Sequence, residues 1–226
     1  MTQLLSRLEK EPFQTRSSKS GLGISGSASS QWPELNDPIP QRFTTEQFQR
    51  MWDEEILDHN KRYELIYGVI LEMPGNPPHR HVITRLTGLL LRTLPNNTEV
   101  SVQSNIDLPS KDTRPEPDLV VIPLENYTEE RYLPEDVALV IEVSDSTLRY
   151  DQSTKLSLYS DVGIQEYWIV NLPARTLEQY RTPFEGGYKS KNTLEPGEVA
   201  SCLKYPDLAL EWWEALPKEA SAESEE

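Results

Sequence analysis

The chain has 226 residues, 36% of them hydrophobic, and a net charge of −15. That length supports one domain with a core plus tails and argues against a multidomain array. Cys202 is the only cysteine, which excludes an internal disulfide and fits a reducing cytoplasm, and no apolar run is long enough for a membrane span.

In chain order, Met1 to Arg16 has no apolar block, so no signal peptide is expected, and Ser17 to Ser30 is mostly Ser and Gly. Residues 1–40 are therefore expected to form a disordered arm. Thr44 and Gln47 make a capping box, and Phe48, Met51, Trp52, Ile56 and Leu57 supply the stripe of a first helix. Tyr63–Ile66 and Val69–Met73, hinged at Gly68, predict a tight hairpin or two bent strand segments. Val82–Leu94 repeats apolar residues at helical spacing and is closed by Pro95. Strand signals follow at Glu99–Leu108, Leu119–Ile122 and Ala138–Val143. Asp151 is placed to cap a helix running to Asp161, with Gly163 as its stop. Glu166–Val170 is a further strand, and Thr176–Leu210 alternates short strands and turns. Trp212-Trp213 is expected to close the core. The spacing predicts an α/β sandwich on a mixed sheet, a domain over 41–216 and an acidic disordered tail over 217–226.

Two of the apolar runs carry a carboxylate that burial disfavours: Asp118 opens Leu119–Ile122, and Glu142 sits late in Leu139–Val143. An isolated buried carboxylate needs a cation or a dense hydrogen-bond cage. On neighbouring strands the two acids would share one end of the sheet and suit Mg²⁺ or Mn²⁺, which prefer oxygen ligands and bridge to phosphate. Lys155, early in the following helix, could serve an attacking water, and Glu64 is a candidate third acid. The pattern is what metal-assisted phosphodiester cleavage requires. Plainer readings stand beside it. Asp151 and Lys155 are spaced as an ordinary exposed helix pair, Glu142 and Lys155 could form a structural bridge, and Asp118 could cap a turn after Pro117. His79-Arg80-His81, read as a loop, lacks the partner thiols or further histidines of a zinc site, and His79 is either a plain loop histidine or a contact to substrate phosphate. Tyr159 shares the helix face of Lys155 and is a candidate substrate contact that either orients the lysine or packs. The balance of 37 acids against 22 Lys and Arg argues against strong nonspecific binding of nucleic acid.

From Tyr63 to about Leu210 the chain resembles the Uma-two type of restriction endonuclease family, within the PD-(D/E)xK nuclease superfamily. The resemblance rests on Tyr63-Glu64-Leu65-Ile66 with Gly68, His79, and Pro117-Asp118-Leu119-Val120-Val121. It continues through Ile141-Glu142-Val143-Ser144, Asp151, Lys155, Tyr159, Gly163 and Glu166-Tyr167-Trp168-Ile169-Val170. It implies a restriction-endonuclease-like three-layer sandwich with a central mixed sheet and extra C-terminal strands. It also implies Asp118 and Glu142 as metal ligands, Glu64 as a supporting acid or ligand, and Lys155 as the catalytic lysine. The superfamily's usual lysine position, two residues after the second acid, is Ser144 here, so Lys155 must replace it from the helix. The expected activity is Mg²⁺- or Mn²⁺-dependent cleavage of DNA, bound weakly without metal, by a cytoplasmic protein compatible with a homodimer. The alternative is a noncatalytic binding or regulatory protein that reuses the fold.

Overall fold

The computed structural model describes residues 41–74, 77–126 and 132–218. The expected arm over 1–40, and residues 219–226 of the expected tail, lie outside the described residues.

α1 (Thr45–Asp53) starts as the sequence predicts. The Thr44 hydroxyl accepts from the Gln47 N–H at 3.2 Å, and the Gln47 side chain accepts from the Thr44 N–H at 2.9 Å. The helix ends before Ile56 and Leu57, contrary to the expected stripe. Glu55 adopts a φ of 56°, which breaks the helix, and Ile56 is left 61% exposed.

β1 (Arg62–Ile66) and β2 (Val69–Met73) form the expected antiparallel hairpin around Tyr67-Gly68. Both turn residues have positive φ, 49° and 77°, as a two-residue turn matched to strand twist requires. A Cβ at Gly68 would also lie 2.7 Å from the Arg42 Cβ, so only glycine fits.

α2 (Pro77–Thr93) begins at Pro77 rather than at Val82. Prolines suit a first turn because the N–H they lack would find no helical partner there. His79 consequently stands on a helix and not on a loop.

Six strands follow: β3 (Thr98–Val102), β4 (Leu119–Pro123), β5 (Leu139–Ser144), β6 (Glu166–Asn171), β7 (Thr176–Phe184) and β8 (Gly187–Leu194). They form one sheet in that order, antiparallel throughout except for the parallel pair β5–β6. β3 stops short of the expected Leu108, because Gln103 turns away with a φ of 50°. The C-terminal strands β7 and β8 extend the same sheet.

β4, β5 and β6 are buried along their whole length, as continuous apolar runs predict. On one face Val82, Ile83, Leu86 and Leu90 of α2 pack with Leu119, Val121, Leu139, Ile141 and Trp212. On the other, Val120, Ile122 and Val140 pack with Leu158, Tyr159 and Tyr167. The layers are helix, mixed sheet and helix.

Parallel neighbours need a crossover, and here it runs over the second face. It consists of α3 (Leu148–Tyr150), a π-turn at Asp151–Lys155 and α4 (Leu156–Asp161). Asp151 is thus inside the helical segment and is not its N-cap, contrary to expectation. Its Oδ2 instead accepts from the Ser144 and Thr147 hydroxyls, each at 2.7 Å.

Candidate active site

Strand parity decides which side chains meet. Leu119 pairs with Ile141 across β4 and β5, so Asp118 and Glu142 are the next opposed positions in the ladder. Side chains alternate along a strand, so both acids share the face of Val120 and Val140, the face that the crossover covers. Two carboxylates directly opposed are mutually repulsive, a cost that packing alone gives no reason to keep. The backbone ties them together. The Asp118 N–H donates to Glu142 Oε2 at 3.3 Å, and the Val143 N–H donates to Asp118 Oδ2 at 2.9 Å.

The π-turn brings Lys155 beneath the pair. Its ammonium is 2.8 Å from Glu142 Oε1 and 2.8 Å from Glu64 Oε1, and all three side chains are buried. The reading of Asp151 and Lys155 as an exposed helix pair is therefore wrong. Both are buried, and Lys155 turns to the two glutamates. Tyr159 donates to Glu142 Oε1 at 3.0 Å, so it orients the acid and not the lysine.

Glu64 reaches the site from β1. The segment before β4 runs beside this strand, joined by the Leu65–Arg114 bridge, and the Glu116 N–H donates to Glu64 Oε1 at 2.9 Å. His79, in the first turn of α2, places Nε2 2.8 Å from Asp118 Oδ2. The structure therefore brings Glu64, His79, Asp118, Glu142, Lys155 and Tyr159 into one cluster.

Burial and charge set the protonation of this cluster. Burial pushes the Glu142 carboxyl well above the usual carboxylate range; Lys155 opposes the shift, while Asp118, Asp151 and Glu64 reinforce it. Burial would raise Asp118 as well, but the His79 hydrogen bond and charge, Lys155 and the Val143 N–H hold it below the ordinary value. Burial works against the Lys155 ammonium, yet Glu142, Glu64 and Asp151 hold it charged, well above the usual lysine range.

Among the described residues, no group of three or more His, Cys, Asp or Glu side chains is arranged as a metal cage. The donors that remain are all oxygens. Among the described residues, Asp118 Oδ1 has the Arg62 guanidinium near it, at 3.7 Å, and Glu142 Oε2 has the long bond from the Asp118 N–H. Two carboxylates with spare lone pairs fit Mg²⁺ or Mn²⁺, which keep several waters. They do not fit zinc, which favours nitrogen and sulfur cages.

Residues 45–213 match a family described as "Uma2: Putative restriction endonuclease". The chain belongs to the Uma2 family. Its fold is similar to the crystal structure of a "putative nuclease belonging to DUF820" from Anabaena variabilis, with a TM-score of 0.61 at 15% identity. That likeness covers 77% of this chain and 99% of the other, and it marks the sandwich as restriction-endonuclease-like. No curated protein matches the chain.

Three residues of this Uma2 site have no counterpart among the residues that the sequence singles out. Arg62 sits on β1 with its Nε 2.6 Å from Glu116 Oε1 and its Nη1 turned to Asp118. Glu116, which anchors Arg62, is raised by its own burial in spite of the arginine beside it. Tyr150 points its hydroxyl at Glu64 Oε2, 3.5 Å away. Period-2 placement of Arg62 and Glu64 on one strand is the available signal for the arginine. Glu116 and Tyr150 carry no local signal, because their partners are remote in sequence.

Proposed function

We propose that this chain is a divalent-metal-dependent DNA endonuclease that hydrolyses a phosphodiester bond by direct attack of an activated water. The observation that carries the reading is the opposed pair Asp118 and Glu142 on central strands, with a buried ammonium 2.8 Å from Glu142. Asp118 and Glu142 are the proposed ligands, through the oxygens that keep free lone pairs. Bound there, Mg²⁺ or Mn²⁺ supplies Lewis-acid charge at the phosphate.

The protein's own groups do the rest. Lys155 offers N–H donors to the attacking water and offsets charge that builds on the phosphoryl oxygens. Glu64 fixes the lysine from its far side, and it is the proposed third acid, holding water or metal when the lysine shifts. Tyr159 fixes Glu142, and His79 holds Asp118 from the helix side, where its ring can meet a substrate phosphate. Cutting both strands of a duplex takes two such sites, which a homodimer would provide. The family's nuclease description and the sandwich fold support the assignment.

A noncatalytic relative is the second reading, favoured by the net charge of −15. Calorimetry with Mg²⁺ and Mn²⁺ separates the roles. Asp118→Ala is expected to lose metal affinity, whereas Lys155→Met keeps it and loses cleavage. Equal metal affinity in the native chain and Asp118→Ala would refute the ligand assignment.

A further inference from the structure

No acidic residue falls between Glu72 and Glu99, the longest acid-free stretch in a chain with 37 acids. α2 lies within that stretch and carries Arg80, Arg85 and Arg92. Val82, Ile83, Leu86 and Leu90 commit one side of the helix to the core. With 3.6 residues per turn, His81, Arg85, Gly88 and Arg92 fall in a line on the opposite side, flanked by Arg80 and Thr84. The three arginines, His81 and Thr84 are exposed, and among the described residues none of the arginines forms an ion pair. A Cβ at Gly88 would meet the Arg92 guanidinium at 3.3 Å, so this cation lies along the helix surface beside Gly88, between Arg85 and its own Cα. The helix starts at the catalytic cluster, because His79 in its first turn holds Asp118 at 2.8 Å.

We propose that the exposed face of α2 is the surface that binds the sugar–phosphate backbone of duplex DNA and leads it to Asp118 and Glu142. The proposal rests on the nuclease reading above. Guanidinium groups bind phosphate through paired N–H donors, and each phosphate neutralised releases condensed counterions. At about 1.5 Å of rise per residue, the Cα atoms of Arg85 and Arg92 stand about 10 Å apart along the axis, and their long side chains can reach separate phosphates. Single-stranded nucleic acid is gripped through aromatic stacking, and α2 has no Phe, Tyr or Trp. A basic helix with no aromatic residue suits a duplex backbone. Such contacts set position and affinity without reading sequence. They also resolve the charge problem locally: the body is acidic, but the helix at the site is not.

The test is binding of a labelled DNA duplex to the full chain in Ca²⁺ across a salt series. Arg80→Gln, Arg85→Gln and Arg92→Gln are combined in one variant, since glutamine keeps helix propensity. Affinity is expected to fall at least about tenfold, and the slope of log K against log salt to shrink by roughly 2–3, near 0.9 per lost contact. Melting temperature and Ca²⁺ affinity should stay unchanged. A control removing the same charge from Arg50, Lys189 and Lys204 should keep the native slope. An unchanged slope in the α2 variant, an equal loss in the control, or tighter binding of a single strand than of the duplex would each overturn this surface while leaving the nuclease assignment intact. No duplex binding by the native chain would overturn both.

Discussion

Lys155 is the residue on which the cluster balances. Its ammonium bridges two buried glutamates, and removing it leaves a buried carboxylate without its cation partner. Breaking a buried pair from one side costs about 3–5 kcal/mol. Lys155→Met should therefore lower the melting temperature in EDTA, and saturating Mg²⁺ should restore part of the loss, because a cation then binds the folded state alone. Differential scanning calorimetry with and without metal checks this; a variant as stable as the native chain in EDTA would mean that the bridge carries no charge. The sign of the pH dependence follows from Glu142. Its carboxyl is raised in the folded chain, so the folded state holds a proton that the unfolded state has released. Stability from this group is complete below the unfolded value and is lost as pH rises through the folded one. The metal-free melting temperature should fall from about pH 5 upward, and Glu142→Gln should flatten that fall. Identical profiles for the two proteins would contradict the assignment. The lowered Asp118 carboxyl acts in the opposite sense, and its contribution is lost only in stronger acid.

At the scale of elements, the hairpin and the crossover position the chemistry. β1 carries both Glu64 and Arg62, and its turn is locked against Arg42 and Phe43 at Gly68. Gly163 has a similar positive φ, but a Cβ added there would meet nothing within 4 Å. Gly163→Ala should cost about 1 kcal/mol for backbone strain alone. Gly68→Ala adds a clash with the Arg42 Cβ and crowding against the Phe43 backbone, so it should cost more and also reduce cleavage by displacing Glu64. Urea unfolding of the two variants, compared with their turnover, tests this; equal losses would release the hairpin from any role in the site. Much at this scale is legible in the sequence. The capping box, the hairpin and the central strands follow from local chemistry, and Asp118 and Glu142 stand out as carboxylates inside apolar runs. The start of α2 is not legible, because Pro77-Pro78 reads as loop until a helix is known to follow. The π-turn is also hidden, because a single turn of five residues is too short to leave an apolar period of its own in the sequence. Arg62, Glu116 and Tyr150 escape because each answers to a partner far along the chain.

For the molecule as a whole, charge is the deciding quantity. A net charge of −15 repels a polyanion, so duplex binding in EDTA should be weak at physiological salt. A divalent cation at Asp118 and Glu142 reverses the local sign, and affinity should rise more with Ca²⁺ than it falls over a moderate salt series. Fluorescence anisotropy of a labelled duplex measures both, and tight binding in EDTA would contradict the metal's part in holding substrate. No helix among the described residues is long and apolar enough to cross a membrane. The claim at the centre of the account is that Asp118, Glu142 and Lys155 together hydrolyse DNA. Incubating supercoiled plasmid with the native chain and Asp118→Ala, each in Mg²⁺, Mn²⁺ and EDTA, tests it most directly. The account predicts nicked or linear product only from the native chain with metal; product from Asp118→Ala at the native rate, or none from the native chain in either metal, would contradict it.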